Sequence, residues 1–318
     1  MTIYTPKNKH DITPENYFSK EVGIQYLSSH ALMTFLKDPS LFWLKAHGHV
    51  QNTSSESADA GRLFHAFMET EEAFKEELGN LGKSPFTKLP KGSDDSTPFY
   101  MLFNDNTPEK LNPKATFKAV WDYIVDNWER RYDIWEDDEY EKEIILTGQI
   151  GNAKYKGRLD CFKIEGRNAY IYDYKTLALK ERYGNWRDDD GNWHPMTFIH
   201  ERDYDLQMII YSELVKQNFD VDDVYITFGV LIKGGKHEFT EYPTSFIDTE
   251  TVNYKDLVVP RFNGRTAYEV LFDEGERAYD ALKMDLETFS DRYGSNNLFL
   301  KMLHNDGKPL SPSEFRLK

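Results

Sequence analysis

Apolar positions recur at helical spacing near both ends of the chain and at strand spacing through its middle. Residues 26 to 47 predict two helices broken at Asp38-Pro39, because proline opens a helix but disrupts its interior. Ser28 or Ser29 can cap the first, whose apolar face is Leu32, Phe35 and Leu36; Leu41 and Leu44 serve the second. A helix is expected from about residue 60 to 77, with Leu63, Phe64, Phe67 and Met68 on one side, and another over 115 to 131. Strand patterns occupy 140 to 147, 154 to 165 and 169 to 176. A helix at about 203 to 217, strands at 223 to 233 and near 237 to 242, and a closing helix at about 265 to 290 follow.

Between these lie polar stretches. Residues 1 to 24, with Pro6 and Pro14, read as an arm or loose edge, and 48 to 59 as a loop. Residues 79 to 113 lack periodicity and predict a long loop, often a binding element or partly disordered. Residues 180 to 197 form a polar, Trp-containing insertion. No internal repeat is visible. A helical cap, a mostly β centre and a helix-then-strand return predict one α/β domain over 25 to 318.

Composition narrows the class. The 318 residues suit one or two domains, and an aromatic content of 15% marks an ordinary globular chain. No run of eighteen apolar residues appears, and the N-terminus lacks the apolar stretch of a secretory signal. The single cysteine, Cys161, excludes an internal disulfide framework and a four-cysteine iron–sulfur cluster. Together these features lead us to expect a cytoplasmic protein without membrane contact. The net charge of −15 weighs against nucleic-acid binding, although a local basic groove can coexist with an acidic exterior.

The segment from Lys156 to Thr176 carries the candidate chemistry. It reads as a hairpin about Gly166-Arg167, which pairs Glu165 with Asn168 and sets Asp160 opposite Asp173. Their Cβ atoms would lie about 5 Å apart, with Lys175 on the same face. A one-residue slip would destroy the arrangement. Opposed carboxylates in an apolar sheet repel, so either one is protonated or a cation lies between them. Mg²⁺ or Mn²⁺ suits hard oxygen ligands with open positions. The residues alone also permit two solvated aspartates on an exposed strand face.

The wider pattern separates these readings. Gly157-Arg-Leu-Asp160 followed by Asp173-Tyr-Lys175-Thr resembles the core of the RecB-type and RecE-type PD-(D/E)xK nucleases. Upstream, Gly61-Arg-Leu-Phe-His65-Ala-Phe-Met-Glu69 resembles that group's glycine-to-histidine helix motif. Downstream, Gln207-Met-Ile-Ile-Tyr211 resembles its Q-x-x-x-Y helix. The stretch from Tyr26 to Pro39 resembles the N-terminal signature of exonuclease VIII (RecE) relatives. Four motifs in order, across about residues 25 to 235, make the resemblance specific.

The resemblance implies a restriction-endonuclease-like α/β core: a central mixed β-sheet flanked by helices, with an N-terminal helical cap. It implies that His65, Asp160 and Asp173 ligate a divalent metal, Mg²⁺ with Mn²⁺ as substitute, the carbonyl of Tyr174 being a further ligand. Lys175 would activate water or stabilise the transition state, and Gln207 and Tyr211 would brace the site or touch the DNA backbone. Glu141 stands where relatives carry a glutamate before the metal strands, with Glu143 as competitor. Arg62 would bind phosphate or form a surface salt bridge. Lys83, Lys88, Lys91 and the 180 to 197 insertion would track DNA or remain solvated loops.

The implied activity is resection of double-stranded DNA ends, 5′ to 3′, leaving 3′ overhangs for a single-strand annealing protein in phage or prophage recombination. Relatives form homo-oligomeric rings around DNA. The alternatives are an endonuclease or repair-complex nuclease of the same class, and a non-catalytic DNA-binding or assembly module.

Overall fold

In the computed structural model the described residues are 4–50, 55–178, 183–187, 193–233, 238–243 and 265–293. A hairpin organises the centre. Strand β1 (Glu141–Ile150) turns at Gly151 into β2 (Ala153–Glu165), which turns at Gly166-Arg167 into β3 (Asn168–Ala178). Gly166 adopts φ 64°, a left-handed conformation that glycine reaches without a Cβ penalty. That two-residue turn sets the register Glu165↔Asn168 and Cys161↔Tyr172, as the turn chemistry predicts.

Strand β4 (Asp223–Lys233) lies parallel to β3, and β5 (Glu238–Pro243) pairs antiparallel with β4. The five-stranded mixed sheet therefore runs β1-β2-β3-β4-β5. The parallel step needs a crossover, and residues 204–218 supply it as a helix of fifteen residues.

The helices clothe both faces. In chain order they include α1 (Ser29–Lys37), α2 (Pro39–Ala46), α3 (Glu56–Glu69), α4 (Glu71–Leu81), α5 (Lys118–Asn127), α6 (Tyr204–Asn218), α7 (Ala267–Leu282) and α8 (Leu286–Tyr293). Helices α1, α2, α6, α7 and α8 bury one apolar cluster against the sheet, while α3, α4 and α5 bury a second on the other face. Alternation along β4 shows the division: Val230 and Ile232 join the first cluster and Leu231 the second.

Three boundaries depart from the sequence reading. The helix expected over 60 to 77 is two, because Thr70 is extended (φ −148°) and its side chain caps α4 through the Ala73 N–H. The long loop expected over 79 to 113 contains a helix, Thr97–Phe103, and a short strand pair, Phe86–Lys88 with Asn112–Pro113. The closing helix is also divided, into α7 and α8.

The N-terminal segment is fastened rather than loose. The Asn8 amide donates to the Thr147 carbonyl at 2.8 Å, Ile12 and Tyr17 are buried, and Leu27 exchanges main-chain hydrogen bonds with Lys154 and Lys156. Its polar composition conceals this, because backbone and amide groups make the attachment. Among the described residues no helix is long and apolar enough to cross a membrane.

Candidate active site

The site forms where β2 and β3 separate. Their last paired positions are Cys161 and Tyr172, so Asp160 and Asp173 come next, just inside the fork. Beyond it β2 stays with β1, and β3 continues beside β4, Asp173 facing Phe228 and Lys175 facing Val230. At a fork, backbone groups facing the gap lose their ladder partners and need others. The Tyr174 N–H donates to Oδ2 of Asp160 at 2.7 Å, which fixes that carboxylate at the opening.

Asp173 is 1% exposed and held at both oxygens. The Lys175 ammonium contacts Oδ2, which has no conventional hydrogen bond besides that ion pair. Gln207 Nε2, on α6, donates to Oδ1 at 3.1 Å and also to the Tyr211 hydroxyl at 2.8 Å. The Tyr211 hydroxyl in turn donates to the Arg158 carbonyl at 3.1 Å. Gln207 and Tyr211 share a helix face because four residues make about one turn. The helix thus braces Asp173 and β2 together.

Helix α3 brings His65 to the same place from the opposite face. Its Nδ1 lies 3.4 Å from Oδ2 of Asp160, and the ring also hydrogen-bonds the Tyr174 main chain. Burial and then the nearby Lys175 charge push His65 down to about 4, so it is neutral at pH 7 and attracts Asp160 as a dipole rather than a charge. Glu69, one turn further along α3, is raised by burial and by Asp160, with Arg158 opposing.

Of the two glutamates, the structure places Glu143 beside Asp160 and Glu141 away from it. Oε2 of Glu141 accepts the Tyr4 N–H at 2.8 Å, which fastens the N-terminal segment instead of joining the cluster. Glu143 lies between the pairs Lys142↔Cys161 and Ile144↔Leu159, three residues of β1 opposite three of β2, in a left-handed conformation with φ 57°. Burial raises its carboxyl to about 8, with Asp160 and Asp173 assisting and Arg158 opposing. Simple strand alternation cannot choose between two glutamates two residues apart; the register does, setting Glu141 opposite Phe162 and Glu143 opposite Asp160. Arg158 Nε approaches Oε2 of Glu143 at 2.6 Å, a role the sequence reading did not assign. Its position two residues before Asp160 on one strand face was the available signal.

The remaining protonation follows from low dielectric and crowding. Burial pushes Asp173 up to about 6, with Lys175 opposing and Asp160 assisting, and burial also raises Asp160. For Lys175, burial pulls down, yet Asp173 and Asp160 raise it overall, so it stays an ammonium.

The chemistry of the donor set fits a divalent metal. One buried carboxyl, Asp173, two half-buried ones, Glu143 and Asp160, and a neutral imidazole offer hard oxygens and one nitrogen, and a cation would offset the burial that raises all three acids and the mutual repulsion that adds to it at Glu143 and Asp173. Among the described residues, however, no three such side chains are gathered into a ready ligand set. Asp173 faces Lys175 and Gln207 instead.

Of the two roles expected for Arg62, the surface salt bridge is the one formed. Arg62 forms surface salt bridges with Asp59 at 2.7 Å and Glu77 at 3.0 Å. Within the insertion, Tyr183–Arg187 and Trp193–Thr197 pair as antiparallel strands, while 179–182 and 188–192 lie outside the described residues.

Comparison with known proteins bears on the family and the fold. The family profile of a PDDEXK-like domain of unknown function (DUF3799) matches residues 28–242. A candidate exonuclease from Eubacterium rectale, a crystal structure, superposes with TM-score 0.59 at 18% identity, covering 86% of this chain and 88% of that chain. At that identity the likeness shows the fold alone. The protein SSO0001 aligns at 12% identity over 69% of this chain and 82% of that chain, but its TM-score of 0.26 carries no argument. No curated protein matches the sequence. The profile spans about two thirds of the sequence and includes His65, Glu143, Asp160, Asp173, Lys175 and Gln207, so the chain belongs to the PDDEXK-like family DUF3799, within the PD-(D/E)xK nuclease superfamily.

Proposed function

We propose that the protein is a divalent-metal-dependent exodeoxyribonuclease that hydrolyses phosphodiester bonds at the ends of double-stranded DNA. The observation that carries this reading is the convergence of Asp160, Asp173, Glu143, His65 and Lys175 at one strand fork. Membership of the PDDEXK-like family supports a nuclease, and the structural neighbour's description as a candidate exonuclease favours cleavage from ends.

Asp160, Asp173, Glu143 and His65 would hold the metal, Mg²⁺ or Mn²⁺, with the Tyr174 carbonyl beside them. When bound, that ion polarises water and a phosphate oxygen. The chain's own contribution is positioning and charge. Lys175 stays protonated, so it suits stabilising negative charge that grows on the phosphate more than accepting a proton from water. Gln207 and Tyr211 keep Asp173 oriented. Arg158 offsets part of the acidic field through Glu143. The 5′-to-3′ polarity, a ring-shaped homo-oligomer and an annealing partner in phage-type recombination extend the reading by the resemblance of the motifs.

The test is Mg²⁺-dependent degradation of linear duplex labelled at either end, beside covalently closed circles, by wild type and Asp173→Asn. Loss of linear DNA alone, abolished by the substitution, is the expected result, and the label released first gives polarity. Cutting of circles would replace the exonuclease by an endonuclease. Inert but folded protein would favour a non-catalytic DNA-binding module.

A further inference from the structure

The cluster at the strand fork opens to solvent past His65 and Arg158. These two side chains are 33% and 34% exposed, whereas Glu143, Asp160, Asp173 and Lys175 are 14% exposed or less. Beside Arg158 stands Phe18, its ring centre 5.6 Å from the guanidinium carbon. Phe18 is 79% exposed, the most exposed large apolar side chain among the described residues. A single apolar residue on an arbitrary surface is ordinary. This one stands at the mouth of the candidate site, and its position is fixed.

The residues on either side hold it. Tyr17 is buried, and its carbonyl accepts a hydrogen bond from the ammonium of Lys156, itself buried on β2. That ammonium also lies 4.3 Å from the Tyr17 ring centre. Ser19 caps the helical turn Lys20–Gly23 by accepting from the Val22 N–H at 3.3 Å. The Tyr17 and Phe18 rings meet edge to face with centres 4.9 Å apart. A ring anchored in this way has little conformational freedom left to lose on binding. A phenyl ring carries no charge and no hydrogen-bonding group, so it neither attracts phosphate nor reads base edges. It offers a π-face, on which any nucleobase can stack. Base and phosphate belong to one nucleotide, so a phosphate at the carboxylates brings a base to the mouth of the site.

Resting on the nuclease reading above, we propose that Phe18 is a stacking platform for a nucleobase of the cut strand, holding a nucleotide beside the scissile bond without regard to sequence. Arg158 ties the platform to the reactive centre, because the same guanidinium lies against the Phe18 ring and pairs with Glu143 at 2.6 Å. Stacking adds affinity without a positive patch, which suits a chain of net charge −15.

The test uses the full-length protein and a linear duplex labelled with fluorescein at the far end, with Ca²⁺ in place of Mg²⁺ to hold cleavage back. An abasic residue is walked through the terminal nucleotides of each strand, and fluorescence anisotropy gives the affinity of wild type and Phe18→Ala for every duplex. At one position the abasic residue should weaken wild-type binding about tenfold. Phe18→Ala should bind the intact end about tenfold more weakly than wild type and be indifferent to the abasic residue there, equally for two unrelated sequences. Phe18→Trp, which keeps a stacking face, should restore the dependence. Should Phe18→Ala fail to fold, Phe18→Leu, which keeps the apolar bulk, carries the same comparison. Equal losses on intact and abasic ends would mean that Phe18 acts through the protein rather than on a base, and would overturn the platform. Wild-type affinity in the folded variants would overturn it too, as would a changed oligomeric state with no dependence on the base, which would assign the ring to a subunit interface. Each of these leaves the nuclease reading standing. Absence of any DNA binding or cleavage by folded wild type would overturn both.

Discussion

Arg158 and Glu143 meet at 2.6 Å across two adjacent strands, the glutamate from a left-handed backbone position. A non-glycine residue in this conformation is uncommon and costs of order 1 kcal/mol, which the surrounding packing must offset. Its position beside Asp160 and Asp173 makes Glu143, rather than Glu141, the acid that the proposed reaction would use.

Paired substitutions separate the two. Glu143→Gln should lower DNA cleavage on the order of a hundredfold. Glu141→Gln should leave cleavage within about twofold, because that side chain serves Tyr4. Initial rates at saturating DNA make the comparison. Equal losses in both variants would return the assignment to an open choice.

The brace on Asp173 is also separable from the reacting groups. Tyr211→Phe removes a hydroxyl that accepts from Gln207 and donates to the Arg158 carbonyl. The expected stability loss is about 1–2 kcal/mol, with a fall in cleavage smaller than that of Asp173→Asn. Denaturant unfolding and rates on the same preparations check this. Cleavage lost as completely as in Asp173→Asn would mean that the hydroxyl touches the substrate itself.

Gly157 sets how closely α6 approaches the sheet. A Cβ there would lie 3.0 Å from Leu214 Cδ1 and Tyr211 Cε1. Gly157→Val should cost about 1–3 kcal/mol by overpacking and should displace Gln207 and Tyr211 from Asp173, reducing stability and cleavage together. Thermal unfolding and cleavage rates give the two numbers, and an unchanged unfolding temperature would contradict the packing argument.

Metal binding should depend on pH with a definite sign. Folding raises Asp173 from 3.8 to about 6 and Glu143 from 4.5 to about 8. Each therefore holds a proton that the unfolded chain releases, and its contribution to stability is lost as pH rises through the folded value. A divalent cation must displace these protons. The rise in unfolding temperature caused by Mn²⁺ should therefore grow from about pH 5.5 to about pH 8, with His65 neutral throughout. Calorimetry in two buffers of different ionisation enthalpy should record protons released on binding. A Mn²⁺ effect independent of pH would contradict the assignment of these carboxyls as ligands.

How much of this was legible in the sequence follows from the physics of each element. The Gly166 turn fixes the register by local backbone preference, so the meeting of Asp160, Asp173 and Lys175 could be read from the hairpin alone. The crossover helix and its Gln207–Tyr211 pair were likewise legible from period and spacing. Glu143 was not decided, because residues two apart on a strand share a face and only the pairing of β1 with β2 separates Glu143 from Glu141. The split at Thr70 was hidden because helical periodicity in α3 and α4 continues across a single capping residue. The fastening of residues 4–24 depends on main-chain and amide hydrogen bonds at long sequence separation, to which hydrophobic pattern is blind.

The most direct test of the central claim is release of acid-soluble nucleotides from linear duplex DNA, measured against Mg²⁺ concentration for wild type, Asp160→Asn and Lys175→Ala. Release should require Mg²⁺, stop with chelator and fall at least a hundredfold in each variant while its fold is retained. Release that persists in folded Asp160→Asn, or none from folded wild type with either Mg²⁺ or Mn²⁺, would contradict it.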